Sequence, residues 1–461
     1  MTENKEKEVS PKNNRKRLDI APVAIIDNLV FSRTEVFAYF QVTNSVFDFL
    51  SNDQKVNLAL RISNAFNNLM NDKQQPVECH TIITSVPFDV DAWAEQVRGV
   101  SEDWPTGPGF ERYINEQMFY LEQKSFMKKV TYVGVSLGKR GALDMSNLNV
   151  FENGVRGAWD VVKAWGNTML QVPTASVSSK EEDDMRRKEA ELFRTLSNGH
   201  LQASRATTED LLLLIKRQLY PSMPAPYLDV DHENRVGPGD LDLELGSAIE
   251  NKYRWLKITQ MFDDIEISGY RAALSFAKFP KHMEYPGAAP FLYFPSQLGA
   301  PFTCYSRFTL HPSQKMKLEL EKKKKEQKDE LENLTAAQDQ YDSAVDSMPS
   351  DIVQSLEDIR QIENMLSQDK TAWVEGSYRI VVEAPSEERL REYCSKLKQS
   401  YDDLGILLQW TAGDQKQLLL EQMPGDTHRV KAFQQITSLN MLSTSGMNFS
   451  SDVGDPIFKS N

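Results

Sequence analysis

One heptapeptide gathers the groups that phosphate chemistry uses: Gly134-Val-Ser-Leu-Gly138-Lys139-Arg140. A glycine turn bares backbone N–H groups to phosphate, a lysine reaches the terminal phosphates, and a hydroxyl after the lysine holds Mg²⁺. That loop needs four residues between its glycines. Here there are three, and Arg140 stands where the hydroxyl belongs. The same letters fit Gly-x-Ser-x-Gly with Ser136 as a nucleophile, which requires a sharp strand-to-helix turn with serine at its tip. Ser136 instead falls inside the alternating strand pattern of Lys128 to Leu137, and Gly141 weakens a helix after it. An end-of-strand turn accounts for the stretch.

Metal chemistry has two candidate places. Asp229, Asp231, His232 and Glu233 cluster in one loop, without the spacing or the glycine of a calcium-binding loop. A solvated acidic loop explains them. His80 sits in a strand pattern with no second histidine or cysteine at ligand spacing, so it reads as a solvent-facing or hydrogen-bonded strand residue. Cys79, Cys304 and Cys394 are too few and too scattered for a disulfide framework or a zinc site, and read as buried or incidental thiols in a reducing cytosol. Asp27 after Val23-Ala-Ile-Ile26 mimics the acidic strand end that holds Mg²⁺, but carries no weight without a phosphate loop.

The elements that would position any site come from a chain of 461 residues with net charge -13, 40% hydrophobic and 26% charged. That is enough chain for two or three domains with real cores. An acidic protein is a poor non-specific partner for nucleic acid, so no direct nucleic-acid binding is expected. No apolar run approaches the ~20 residues that span a bilayer, and the N-terminus has no signal-peptide core.

Residues 1–20 read as a disordered basic tail, with a weak contact to anionic lipid as the alternative. Across 21–150 the pattern gives strands at Asn28–Ser32, Glu35–Thr43, Glu78–Val86 and Lys128–Leu137. Helices are expected over Asp53–Leu69, Asp91–Val100 and Phe110–Phe126. In the first helix Val56, Leu60, Ile62, Phe66 and Leu69 are expected to face inward. Residues 151–225 read as a helical segment, with helices over Phe151–Leu170 and Lys180–Leu196 and a third starting at Thr208 or Glu209. The Pro-, Gly- and Asp-rich stretch 226–241 reads as a linker.

A second α+β unit is expected over 242–425. Strands are expected at Trp255–Met261, Tyr305–Leu310, Tyr378–Ala384 and Ile406–Thr411, while Tyr270–Ala277 fits a strand or a short helix. Pro385-Ser386 opens a helix that Gly405 ends, because glycine enters the left-handed region without strain. The aromatic loop Tyr285–Pro295 reads as core cover, with a docking surface as the alternative. Two charged helices over 313–370 interrupt the unit as a protruding hairpin. Leu331, Leu334, Tyr341, Ile352, Leu356 and Ile359 form its seam and are the candidate partner-binding residues. The fold class is therefore α+β: two mixed, largely antiparallel sandwich units with a helical insertion and a helical hairpin.

The order of these elements resembles the N-terminal region of the CagE/TrbE/VirB family, the large ATPases of type IV secretion and conjugative DNA transfer. The resemblance lies in the charged helix pair, the strand at Tyr378–Ala384, the helix ending at Gly405, and Gln415-Lys-Gln-Leu-Leu-Leu-Glu-Gln-Met-Pro-Gly425. Family members have a Leu-Pro-Gly-like element there, and Met423 replaces the leucine. Asp27 to Phe40 also looks like the start of the Gram-positive branch. The resemblance implies a cytoplasmic protein peripheral at the inner face of the cell membrane. The implied partners are inner-membrane components of a transfer complex and the chain's own C-terminal ATPase domain, which assembles as a hexamer in the family. ATP and Mg²⁺ belong to that motor domain, which would follow residue 461 after a linker at 426–461. No cofactor is expected in these 461 residues, and no family active-site residue has a match here. Two other readings stand beside this one: a stand-alone interaction scaffold without nucleotide chemistry, and an enzyme whose site the sequence does not reveal.

Overall fold

The computed structural model describes residues 18–450, apart from 72–74, 88–89, 101–107, 125–126, 141–176, 199–200, most of 313–371 and short breaks within 225–301. Its first half runs β1 (Pro22–Ile26), β2 (Leu29–Ser32), β3 (Glu35–Val42), β4 (Ser45–Val46), α1 (Asn52–Asn71), β5 (Val77–Pro87), α2 (Val90–Val100), α3 (Pro108–Lys124) and β6 (Met127–Lys139). Then come α4 (Ser179–Asn198), β7 (Ala203–Arg205), α5 (Thr208–Lys216) with a 3-10 turn, and β8 (Arg235–Val236). The second half runs β9 (Ala248–Asn251), β10 (Leu256–Phe262), β11 (Ile265–Lys278), β12 (Phe302–His311), β13 (Trp373–Ala384), α6 (Glu387–Asp402), β14 (Leu407–Trp410) and α7 (Gln415–Glu421). It closes with β15 (Gln435–Ser438), α8 (Leu439–Thr444) and β16 (Phe449–Ser450).

The α+β class and the largely antiparallel pairing hold, but two separate sandwiches do not form. Fourteen strands make one sheet, with β8-β1-β2-β3-β6-β5-β12-β13-β11-β10-β9 along its main path. The halves fuse because β5 and β12 pair directly, Cys79 opposite Phe308 through Ile83 opposite Cys304. Pairing satisfies the backbone of two strands that would otherwise be exposed edges.

The sheet repeats itself about that central pair. Outward from β5 lie β6, β3, β2 and β1; outward from β12 lie β13, β11, β10 and β9. Late in each half a short strand extends the same edge of the long one: β7 pairs the end of β3, and β14 pairs the end of β11. A helix precedes that short strand and another follows it, α4 and α5 in the first half, α6 and α7 in the second. The strand order and the closing helix–strand–helix order agree, so the halves repeat one topology about the β5–β12 pair, with β4, α1, α2 and α3 as additions described in the first half.

Alternation along the strands gives the sheet two apolar faces. One face packs α1, α4, α6 and α8, with Phe66, Phe276, Leu390, Tyr401 and Leu442 in its core. The other packs α5 and α7 through Leu211, Ile215, Leu418, Leu419 and Met423. Helix ends follow the sequence: Thr207 and Asp210 form a reciprocal capping box on α5, the Ser386 hydroxyl accepts from Arg389 N on α6, and Gly405 takes φ 71. The aromatic loop is core cover, since Phe291, Leu292 and Tyr293 are buried.

Several expectations change. Val56 and Leu60 face outward, because α1 buries the stripe Ala59, Ile62, Ala65, Phe66 and Met70. Tyr270–Ala277 is strand, inside β11, where antiparallel neighbours on both edges supply its backbone partners. The stretch 226–241 is not only linker: Arg235 and Val236 add a strand to β1. The segment after 425 is not a free approach to another domain as far as residue 450, for β15 pairs β13 and α8 buries Leu439 and Leu442. The helix expected within 151–170 and the acidic loop at 229–233 lie outside the described residues.

Candidate functional site

The element that carried the family resemblance, Gln415–Gly425, docks on the centre of the sheet. β11, β12 and β13 each contribute one arginine to the face beneath α7: Arg271, Arg307 and Arg379, none more than 2% exposed. They point the same way because each lies two residues from an apolar position buried on that face, Ala273, Tyr305 and Val381. α7 is anchored at its start by Gln415, whose side-chain amide accepts from Ala273 N (2.8 Å) and donates to Ala273 O (3.0 Å). That exchange satisfies backbone groups of β11 next to the place where β10 ends and β14 begins.

Carbonyl groups at and beyond a helix C-terminus need donors from elsewhere. The arginines supply them. Arg307 donates to Glu421 O (2.7 Å) and Met423 O (3.0 Å), and Arg379 donates to Val430 O (2.9 Å) and Ala432 O (2.8 Å). Arg271 donates to the Gln422 side chain. The carboxylate of Glu421 turns back to accept from Arg429 N (2.9 Å) and Val430 N (2.7 Å). Its other oxygen stands 3.9 Å from Arg379 Nε, close enough for Coulombic attraction but too far for a hydrogen bond. Asp426 accepts from Ala21 N and pairs with Arg429 at 2.6 Å, which ties the loop to the chain just before β1.

The tip of the element rests on an aromatic relay. Gly425 N donates to the Tyr39 hydroxyl (2.8 Å), which contacts His80 Nδ1 at 2.9 Å. Gly425 has φ 74 and lies so near Val30 that an added Cβ would sit 2.4 Å from its Cγ1. Glycine is required there for conformation and for space. Next to it, His428 Nε2 meets the Ser377 hydroxyl at 2.9 Å. Burial holds His80 well below the usual imidazole range and lowers His428 to about 4, with the Arg307 charge adding to both shifts. Burial also raises Glu421 against the pull of Arg379, and lifts Tyr39 to about 12. The charged and polar groups here hold a backbone segment in place, so the arrangement is a latch.

His80 is therefore wholly buried, which corrects its solvent-facing reading, and it is hydrogen-bonded as the other reading had it. Ser136 lies within β6 rather than at a strand-to-helix turn, and Arg140 is engaged by Glu181 at 2.8 Å. Gly134 serves packing, since an added Cβ would fall 2.4 Å from Tyr39 Cε1. The three cysteines are buried and free, with Cys304 and Cys394 raised by burial to about 12. Among the described residues no three metal-binding side chains converge, and no helix is long and apolar enough to cross a membrane.

The hairpin seam expected at Leu331, Leu334, Tyr341, Ile352, Leu356 and Ile359 lies outside the described residues. No family model matches the chain, and no curated protein matches it either. The latch arginines escaped the sequence reading although each interrupts an apolar strand: Tyr270-Arg-Ala-Ala-Leu, Tyr305-Ser-Arg-Phe and Tyr378-Arg-Ile-Val-Val. A cation inside a buried strand needs a partner, and that was the available signal. The repeat also left a trace: Leu211–Leu214 begin four positions after the N-cap Thr207 of α5, as Leu418–Leu420 begin four positions after the N-cap Asp414 of α7.

Proposed function

We propose that this chain is the docking and regulatory region of a conjugative-transfer (type IV secretion) ATPase. In this reading it assembles with inner-membrane components of the transfer complex, at the cytoplasmic face of the membrane. It couples them to an ATPase motor domain that binds ATP and Mg²⁺ and works as a hexamer. The observation that carries the reading is the latch. The element that resembles the family's Leu-Pro-Gly segment, which in that family leads toward the motor, is clamped by arginines from three central strands. A force on that segment reaches the whole sheet rather than a flexible tether. The hairpin expected at 313–370 would deliver motion or contact to the partner through its Leu331, Leu334, Tyr341, Ile352, Leu356 and Ile359 seam.

Sedimentation with inside-out membrane vesicles from source cells tests this. The chain should bind saturably to vesicles carrying the transfer complex and lose that binding when the complex is deleted. The pair Leu334→Asp and Ile359→Asp should abolish binding while the sheet stays folded. Equal binding to both vesicle types, or to neither, counts against the proposal. A stand-alone scaffold would show partner binding with no motor attached.

A further inference from the structure

The two halves build the same corner and fill it differently. In the first, the β1–β2 turn, α4 and β7 meet, and ion pairs link them. Asp27 pairs with Arg186 at 2.7 Å, Glu182 with Arg186 and Arg235 at 3.0 and 2.6 Å, and buried Glu189 with Arg205 at 2.8 Å. In the second, the β9–β10 turn, α6 and β14 meet around an open cavity of about 450 Å³, lined by Tyr253, Arg254, Trp255, Arg391, Lys398 and Trp410 among others.

The correspondence is close. Asp27 and Tyr253 occupy the equivalent turns, and both have positive φ, 52 and 70. Each helix carries a Glu-x-x-x-Arg ion pair, Glu182–Arg186 and Glu387–Arg391. Counted from that pair, the place of Glu189 is taken by Cys394, so the buried carboxylate of the first corner is missing from the second. Lys252 is answered by Glu250 (2.7 Å) and Arg391 by Glu387 (2.6 Å). Among the described residues, Arg254 and Lys398 have no ion pair. The second corner thus holds two uncompensated cations in a chain whose net charge is -13.

Tyr253, Trp255 and Trp410 add aromatic surface to the lining. Tyr253 is 66% exposed, yet its backbone is fixed: Tyr253 N donates to Asn251 Oδ1 (3.0 Å), and Tyr253 O accepts from Gly413 N (2.7 Å). A bulky residue held at positive φ is a strain that a structure keeps where a side chain must be presented. Trp255 and Trp410 meet edge to face at 6.4 Å, and the Arg391 guanidinium lies 4.8 Å above the Trp255 ring. The Trp255 Nε1–H is buried without an acceptor among the described residues.

We infer that this corner binds a nucleoside phosphate unit, as a free nucleotide or as one exposed nucleotide of a single strand. The base stacks on the aromatic group presented at Tyr253, and the phosphate meets Arg254 and Lys398. A flat ring and an anion in one ligand answer the two kinds of lining group together. The cavity volume falls in the range of small-ligand pockets, about 300–1,000 Å³. Whole-chain charge argues against non-specific nucleic-acid binding, but a local cluster with low counter-charge works at short range.

The test is titration of the full chain at about 50 mM salt, where phosphate contacts are strongest, following tryptophan fluorescence. The probes are AMP, inorganic phosphate, and oligothymidylate about 12 nucleotides long. Saturable quenching is expected, and Arg254→Glu and Lys398→Glu should each weaken it about tenfold while circular dichroism stays unchanged. Tyr253→Ala should weaken it for nucleotides but leave phosphate unaffected. If AMP binds and competes with the oligonucleotide, a free nucleotide suffices; if only the oligonucleotide binds, the source is a single strand. Quenching by phosphate equal to that by nucleotide, no binding by either nucleotide probe, or charge-reversed variants that bind like the parent would each overturn the inference.

Discussion

Arg307→Met isolates the latch from the rest of the core. Methionine keeps most of the arginine stem, so the cavity left behind is small. What disappears is the guanidinium that donates to Glu421 O and Met423 O from a position 1% exposed. Hydrogen bonds to charged groups contribute about 1.5–3 kcal/mol each. Removing a desolvated cation returns part of that, because burying the charge was itself costly. The net loss should be about 3 kcal/mol, concentrated in the segment from Gln422 to Ala432. Urea unfolding gives the global figure, and amide hydrogen exchange on peptides covering 420–434 gives the local one. Exchange there should accelerate before the β5–β12 pairing opens. A loss below about 0.5 kcal/mol, the ordinary size of a surface substitution, with unchanged exchange in that segment, would refute the latch.

Two further outcomes follow from the same region. Gly134→Ala should push the Tyr39 ring off its contacts with Gly425 and His80, destabilising the fold by about 1–3 kcal/mol; a thermal melt with an unmoved midpoint would contradict this. Acid should weaken the fold. His428 titrates near 4 in the folded chain, below its ordinary 6.5, so the unfolded chain binds more protons between those values and stability falls as pH drops through that window. Glu421, raised by burial, opposes this trend, so the informative comparison is His428→Gln, which should flatten the pH profile between 6.5 and 4 relative to the parent.

Much of the fold was legible from local pattern. Alternation located β3, β5, β6 and β13, and the helix starts at Thr208 and after Ser386 and the stop at Gly405 were visible as letters. Pairing between distant segments was not. Nothing in Val77–Pro87 or Phe302–His311 read alone says that they are neighbours, so one continuous sheet was read as two units. The same limit hid the latch. Gln415–Gly425 stands out in sequence, but its partners Arg271, Arg307 and Arg379 lie between 36 (Arg379 to Gln415) and 154 (Arg271 to Gly425) positions away, on strands whose pattern is dominated by apolar residues. Arg254 and Lys398 carry no motif of their own; only the comparison with the ion-paired first corner sets them apart.

The central claim is that this region works as part of a motor-coupled protein. The most direct measurement is the intact mass of the native polypeptide in its source cells, captured through an epitope in the β1–β3 region. The account predicts a mass well above the 52.6 kDa encoded by these 461 residues, together with ATP hydrolysis by the captured protein. A mass equal to 52.6 kDa would contradict it and leave a scaffold that has no motor of its own.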